Sequence, residues 1–247
     1  MSIVYKIYTY LVATPLFILV SAVSGSITAL AGMLGDRRYV AHYAPVFWCW
    51  FACRIYLLPV TVKGRENLEK GQTYVFMPNH QGYFDVFLFY AFIGHKFKWM
   101  MKDYLRNIPF IGYASFRSGH VHVGDTVSSI ARAVRQSREL LAEGMSMCIF
   151  PEGTRSHTGE MGEFKRGAFV LANQLERPIV PVTINGSFNV FNRYDTMVNY
   201  HPLELIIHKP IPYDDVKGKN TKVVMKEVFD IIHSELRLDE REDMDNK

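Results

Sequence analysis

The feature that most limits how this chain can fold is a long stretch without charge near its start. From Ile7 to Gly35 the sequence contains no Asp, Glu, Lys or Arg, and about 20 apolar residues are enough to cross a bilayer core. A second apolar run, residues 39–62, has a single internal charged residue, Arg54. We therefore expect a membrane-associated helical segment, either one span or a two-helix hairpin that dips into one leaflet.

Two other interpretations of this stretch stay open, a removable signal peptide and a buried core helix. The apolar run is long for a signal peptide, and no A-x-A cleavage site follows it. Charged residues flank the runs, with Asp36, Arg37 and Arg38 after the first and Lys63 and Arg65 after the second. The positive-inside rule then predicts that the main domain lies on the cytoplasmic face.

Composition argues against some classes of partner. The net charge is only +4, which does not indicate a nucleic-acid-binding surface. A mild basic excess on a chain that is 49% hydrophobic suits anionic lipid headgroups. Three cysteines, Cys49, Cys53 and Cys148, do not form a disulfide framework and are expected to pack as small hydrophobes.

After Lys63, apolar strand-like runs alternate with segments of helical spacing. This alternation predicts an α/β domain with a mainly parallel sheet flanked by helices. Residues 1–62 are then the membrane-anchoring helices, residues 63–236 the catalytic domain, and residues 237–247 a charged tail.

Polar side chains follow the first predicted strand, which ends at Pro78. Asn79 and His80 come directly after it, and Asp85 lies five positions beyond His80. On a continuous helix two residues five apart do not face each other, so His80 must lie on the loop and Asp85 in the early helix, with Gly82 easing the bend. An Asp bonded to one imidazole nitrogen leaves the other free to act as a base.

A second polar cluster, "FPEGTRS", spans residues 150–156 and also follows an apolar strand. It is expected at the same edge of the sheet. Gly153 permits close backbone approach, Thr154 and Ser156 supply hydroxyls, and Arg155 has the planar fork that suits a phosphate. Lys165 lies downstream, as a phosphate contact or a surface residue. Glu152 and Arg155 could instead form an ion pair that closes a turn.

Together these motifs resemble the glycerolipid acyltransferases, the 1-acylglycerol-3-phosphate acyltransferase family. Its N-H-x4-D signature is matched by Asn79, His80 and Asp85, its F-P-E-G-T-R-S signature by residues 150–156, and its V-P-V block by residues 180–182. The resemblance covers about residues 60–210.

The resemblance implies transfer of a fatty acyl group from acyl-CoA or acyl carrier protein to a glycerolipid hydroxyl. His80 would take the hydroxyl proton, and Asp85 would stabilise the imidazolium. Asn79 would support the loop or the oxyanion. The residues expected to position the acceptor are Glu152, Gly153, Thr154 and Arg155. No metal or organic cofactor is implied, because a thioester donor is already activated.

One block departs from the family pattern. Where the family usually has G-x-I-x-I-D-R, this chain reads "GHVHVGD", so Asp125 stands where an Arg is expected to hold phosphate. Arg117 could compensate for that Arg. Alternatively, the acceptor is another lysolipid, such as a lysophospholipid or an amino-acid lipid. A thioesterase and a non-catalytic lipid-binding protein are further alternatives.

His120 and His122 share a strand face with Asp125 nearby, but no third His or Cys completes a metal site.

Overall fold

The computed structural model describes residues 2–36, 39–108 and 111–238. Seven strands form one sheet, with bounds β1 Val60–Lys63, β2 Val75–Pro78, β3 Phe97–Lys102, β4 Val121–Val123, β5 Ser146–Cys148, β6 Ile179–Asn185 and β7 Leu203–Ile207. The described helices are α1 Ile3–Tyr8, α2 Thr14–Met33, α3 Val40–Ile55, α4 Phe84–Phe92, α5 Ile111–Arg117, α6 Val127–Ala142, α7 Arg166–Leu175, α8 Ser187–Val190, α9 Tyr213–Val216 and α10 Thr221–Ser234.

The sheet is mostly parallel, which confirms the predicted fold class. Its strand order is β1-β7-β6-β2-β5-β3-β4, and every pair is parallel except β6 with β7. The carboxyl ends of β6, β2, β5 and β3 therefore lie along one edge. Strand β1 is part of this sheet, although it begins at Val60, inside the segment predicted as an anchor.

Two hydrophobic clusters cover the two faces of the sheet. Residues of α4 pack with Phe76 and Trp99 in the first cluster, whereas residues of α6, α7 and α10 pack with Val75 and Met147 in the second. Strand residues alternate between the faces because successive side chains of a strand point to opposite sides.

The amino-terminal segment forms a helical hairpin that packs against the α/β domain. A π-helical turn, Thr9–Ala13, joins α1 to α2 and precedes Pro15, whose missing N–H cannot continue the regular bonding pattern. The resulting helix, Ile3–Met33, is long and apolar enough to cross a membrane. Helix α3 returns along it, since Trp48 Nε1 donates to Ser21 Oγ at 2.8 Å.

The hairpin presents apolar side chains to its surroundings. Leu19 and Val23 are 60% and 52% exposed. On the other side, α3 packs against α4, and Cys53 lies in the same cluster as Phe84 and Leu88 of α4. Arg37 and Arg38, on which the orientation prediction partly depends, lie outside the described residues, as do residues 239–247 of the charged tail.

Candidate active site

The two polar motifs meet because their strands are neighbours. Strands β2 and β5 are parallel, with Phe76 opposite Cys148, so the loops that follow them leave the sheet at the same edge. The Ser156 N–H donates to the His80 carbonyl at 2.7 Å. The expectation that both motifs share one edge of the sheet is therefore confirmed.

His80 and Asp85 form a hydrogen-bonded pair. His80 Nδ1 lies 2.6 Å from Asp85 Oδ2. As predicted, His80 lies on the loop and Asp85 in the first turn of α4. Because the carboxylate oxygen accepts, Nδ1 donates, and the lone pair for proton transfer lies on Nε2. The His80 side chain is 15% exposed, which leaves a narrow approach for a reactant.

Asp85 is fixed more tightly than a simple pair requires. Its side chain is fully buried, and Oδ2 also accepts the N–H groups of Gln81 at 2.6 Å and Gly82 at 2.9 Å. The carboxylate therefore sets the path of the loop and the orientation of the imidazole together.

Gly82 has a steric role rather than the predicted conformational one. Its φ is not positive, so flexibility does not account for it. A Cβ atom there would lie 2.6 Å from the Ser187 carbonyl oxygen and 2.8 Å from that of Phe191. Glycine is required because the backbone after β6 passes so close.

Glu152 joins the two motif loops through their backbones. Its Oε1 accepts the His80 N–H at 2.6 Å, and its Oε2 accepts the Gly162 N–H at 2.7 Å. Burial raises the pKa of Glu152 to about 7, although these two hydrogen bonds oppose the rise. Being 3% exposed, Glu152 supports the loops. Both carboxylate oxygens are used on backbone groups of these loops, and contact of Glu152 with the acceptor stays a prediction. An ion pair of Glu152 with Arg155 is not seen in the described part of the chain.

Asn79 supports the loop as well. Its amide nitrogen donates to the Ile184 carbonyl at 2.9 Å, and its amide oxygen accepts the Ile184 N–H at 2.7 Å. The side chain is fully buried. Of the two roles the sequence left open, loop support fits this geometry. Both its polar groups are used on β6, and its assignment to substrate binding stays a prediction that these contacts do not support.

Arg155 has the features expected of a side chain that binds an anion. Its guanidinium lies 3.7 Å from the ring centroid of Tyr83, which is part of the first motif loop. Within the described part of the chain this guanidinium makes no hydrogen bond, and its Nη1 is buried without a partner. A cation held on an aromatic face with unused donors is ready to bind a phosphate or carboxylate.

The other predicted contacts of the second motif lie beside Arg155. Gly153 has φ +70°, and a Cβ atom built there would lie 3.7 Å from Lys165 Cγ, an ordinary contact distance. Glycine is therefore needed for its left-handed conformation rather than for close approach. Thr154 and Lys165 are exposed. The Thr154 hydroxyl accepts a hydrogen bond from Arg193 Nη2 at 3.3 Å.

Arg117 is not joined to these loops. It ends α5, where its guanidinium lies 5.2 Å from the Tyr113 ring and its Nε is buried without a hydrogen-bond partner among the described residues. Its Cβ packs beside Gly32 of α2. Asp125 is exposed just before α6. His120 accepts the Trp99 N–H through Nδ1, whereas His122 Nε2 contacts the Ser115 hydroxyl at 3.3 Å. The two imidazoles thus have separate partners.

Sequence reasoning missed the segment after β6, residues 186–195, which we call the clamp segment. The Phe191 carbonyl accepts the Tyr83 N–H at 3.0 Å, so it holds the first motif loop. Arg193 Nη2 donates to the Arg155 carbonyl at 2.7 Å, so it holds the second. The polar sequence "NGS" at 185–187 indicates a turn, but nothing local indicates these partners.

With this geometry in place, comparison with known proteins identifies the family. The Acyltransferase family model matches residues 59–185, just over half of the 247 residues. The chain belongs to the acyltransferase family. Strands β1, β2 and β5, with both motif loops, lie inside the matched range.

Curated members of the family are similar to this chain. It is 30% identical over 216 residues to a 1-acyl-sn-glycerol-3-phosphate acyltransferase of Chlamydomonas reinhardtii, covering 85% of this chain and 63% of the relative. It is 33% identical over 180 residues to a chloroplastic enzyme of the same name from Arabidopsis thaliana, covering 71% and 49%. The chain thus spans about half to five-eighths of the length of these relatives.

The fold also matches a solved structure. The crystal structure of the 1-acyl-sn-glycerophosphate acyltransferase from Thermotoga maritima has a TM-score of 0.76 and 23% identity, covering 93% of this chain and 95% of that one. This similarity establishes a shared fold.

Proposed function

We propose that this chain is an O-acyltransferase that moves a fatty acyl group from a thioester to the free hydroxyl of 1-acylglycerol-3-phosphate, giving phosphatidic acid. The observation that carries the proposal is the His80–Asp85 pair, held at 2.6 Å beside a loop that presents the unused donors of Arg155. The names of the curated relatives support the same reaction.

In the proposed reaction, His80 Nε2 accepts the proton of the acceptor hydroxyl as that oxygen attacks the thioester carbonyl carbon. The tetrahedral intermediate then collapses, the C–S bond breaks, and the leaving sulfur takes the proton from the imidazolium. Asp85 stabilises the imidazolium between these steps. The proton ends on the leaving sulfur and the acyl group on the acceptor oxygen. The proposed reaction therefore balances without an oxidant, a metal or an organic cofactor.

Arg155 is proposed to bind the acceptor phosphate, with Lys165 as a second cation and the Thr154 hydroxyl as a further donor. This placement is supported by the exposure of Lys165 and by its side chain, whose Cγ would lie 3.7 Å from a Cβ atom built on Gly153, two positions before Arg155. Binding a remote phosphate fixes the position of the reacting hydroxyl, which lowers the entropic part of the barrier.

The amino-terminal hairpin is proposed to hold the enzyme in the membrane interface, with the catalytic domain on the cytoplasmic side. Its exposed apolar face supports this placement. The acceptor and product carry acyl chains, and exposing these to water costs about 0.8 kcal/mol per CH₂. An enzyme lying in the interface does not need to extract them fully. The donor carrier is acyl-CoA or acyl carrier protein.

A second candidate acceptor is motivated by Asp125. This exposed carboxylate follows β4, at the position where the resemblance predicts an Arg that holds phosphate. An acceptor with a cationic group, such as an amino-acid lysolipid or lysophosphatidylethanolamine, would find a partner there.

The test is an acceptor screen with purified protein in nanodiscs. Radiolabelled acyl-CoA and acyl carrier protein are offered with lysophosphatidic acid, lysophosphatidylethanolamine and amino-acid lysolipids, and His80→Ala is the control. Transfer to lysophosphatidic acid that is lost in His80→Ala supports the proposal. Transfer only to a cationic lysolipid assigns the second candidate, and release of free fatty acid without transfer would indicate a thioesterase. Activity that survives in His80→Ala would contradict the mechanism.

A further inference from the structure

Three aromatic rings lie in one stack behind the reacting nitrogen. The His80 and Phe150 rings are parallel, with centroids 3.8 Å apart and 13° between their planes. The Phe150 and Trp99 rings are also stacked, at 5.1 Å and 11°. The two parallel contacts place one face of the imidazole against a phenyl ring and leave its edge to Asp85.

The sheet explains why these rings coincide. Trp99 lies opposite Cys148 in the register of β3 with β5, and Phe150 follows Cys148 by two positions. Side chains two apart along an extended strand share a face, so Phe150 rises from the same face one step nearer the edge. Trp99 is 5% exposed and packs against Phe89 at 5.3 Å, which fixes the base of the stack.

The face of a phenyl ring attracts positive charge because its quadrupole is negative there. In the proposed reaction the His80 ring gains a positive charge when it takes the hydroxyl proton. A contact that strengthens as this charge develops stabilises the transition state more than the ground state, and therefore raises kcat. Asp85 acts on the ring edge, whereas Phe150 acts on the ring face.

We propose that Phe150, backed by Trp99, is a positioning residue that holds the imidazole plane and stabilises the protonated His80 electrostatically. The inference rests on the proposed function, since it concerns the base of that reaction. It assigns an electronic role to a residue that composition alone would count as core packing.

Fluorinated phenylalanines test this role, because each fluorine weakens the negative face of the ring with little change in shape. Phenylalanine with one, two and three ring fluorines is incorporated at position 150, and kcat and KM are measured in the nanodisc transfer assay. We expect log kcat to fall steadily with fluorine number, by about tenfold at three fluorines, with KM for both substrates unchanged. Phe150→Leu should lose at least as much.

Phe164 is the matched control. It is buried and stacked on Phe169 at 5.9 Å, on the opposite face of the sheet. The same fluorinated residues at position 164 should leave kcat within twofold of wild type. A flat series at position 150, or an equal slope at position 164, would overturn the inference. Absence of transfer by the wild-type enzyme would instead overturn the proposed function, so the two failures are distinguishable.

Discussion

At the scale of single residues, the proposed catalytic pair depends on one oxygen atom. Asp85 Oδ2 accepts hydrogen bonds from the His80 ring and from two backbone N–H groups, while Oδ1 is buried without a hydrogen-bond partner among the described residues. Such an arrangement lets a neutral amide oxygen replace Oδ2 without changing the loop. Charge and geometry can therefore be separated by one substitution.

Asp85→Asn is expected to preserve the fold and lower kcat by about a hundredfold or more, because a neutral oxygen stabilises the imidazolium less than a carboxylate does. The KM values should change little. Steady-state kinetics with both substrates varied, together with the thermal unfolding midpoint, checks this. A variant with wild-type kcat would show that the Asp85 charge does not contribute to catalysis.

Glu152 gives the stability a pH dependence of known sign. Its pKa rises from 4.5 to about 7 on folding, so the folded state holds the proton more tightly than the unfolded chain. The associated stabilisation is present below about pH 4.5 and is lost as the pH rises through 7, by about 3 kcal/mol at most. Between pH 5 and 8 the thermal unfolding midpoint of the wild type should therefore fall relative to that of Glu152→Gln. If the two midpoints change in parallel with pH, the predicted contribution of Glu152 is contradicted.

At the scale of elements, the clamp segment couples the two motif loops to β6. The Phe191 carbonyl bonds Tyr83 of the first loop, and Arg193 of the same segment reaches the Arg155 carbonyl and the Thr154 hydroxyl of the second. Removing the Arg193 guanidinium therefore releases the loop that carries Arg155 and removes no contact of His80.

Arg193→Gln is therefore expected to raise KM for the phosphate-bearing acceptor about tenfold, since a net hydrogen bond contributes about 1 kcal/mol, and to leave KM for the donor unchanged. Arg138→Gln is a matched control, because Arg138 also donates to a carbonyl, that of Gln174, at 3.0 and 2.7 Å. Equal effects of the two variants, or a rise in donor KM, would count against the clamp.

The elements that the sequence predicted well are those with local signals. Apolar runs that stop at Pro78 and Pro151 indicated β2 and β5, and the parallel arrangement then placed both loops at one edge. The partners of Asn79, Glu152 and Arg193 could not be predicted, because they are backbone groups. Those partners lie 105, 72 and 38 positions away in sequence. A charged or amide side chain suggests a ligand, and nothing local shows that a distant main-chain group already occupies it.

At the scale of the whole molecule, the proposed association with lipid depends on the apolar face of the hairpin. Leu19→Glu combined with Val23→Glu places two charges on that face, each costing about 2.5 kcal/mol or more at membrane depth. We expect vesicle flotation to fall at least tenfold. Val223→Glu, on α10 and 55% exposed, should float like wild type. Unchanged flotation of the double variant would exclude the hairpin as the anchor.

The contact between α3 and α4 means that the anchor is not a detachable tag. Cys49 and Cys53 of the hairpin share one hydrophobic cluster with Phe84 and Leu88 of α4, the helix whose first turn carries Asp85. Deleting the hairpin would uncover that face, so solubilising the enzyme by truncation would also remove the support of the carboxylate proposed to act in catalysis. In the proposed membrane placement, the lipid around the hairpin is part of the folding environment of the candidate active site.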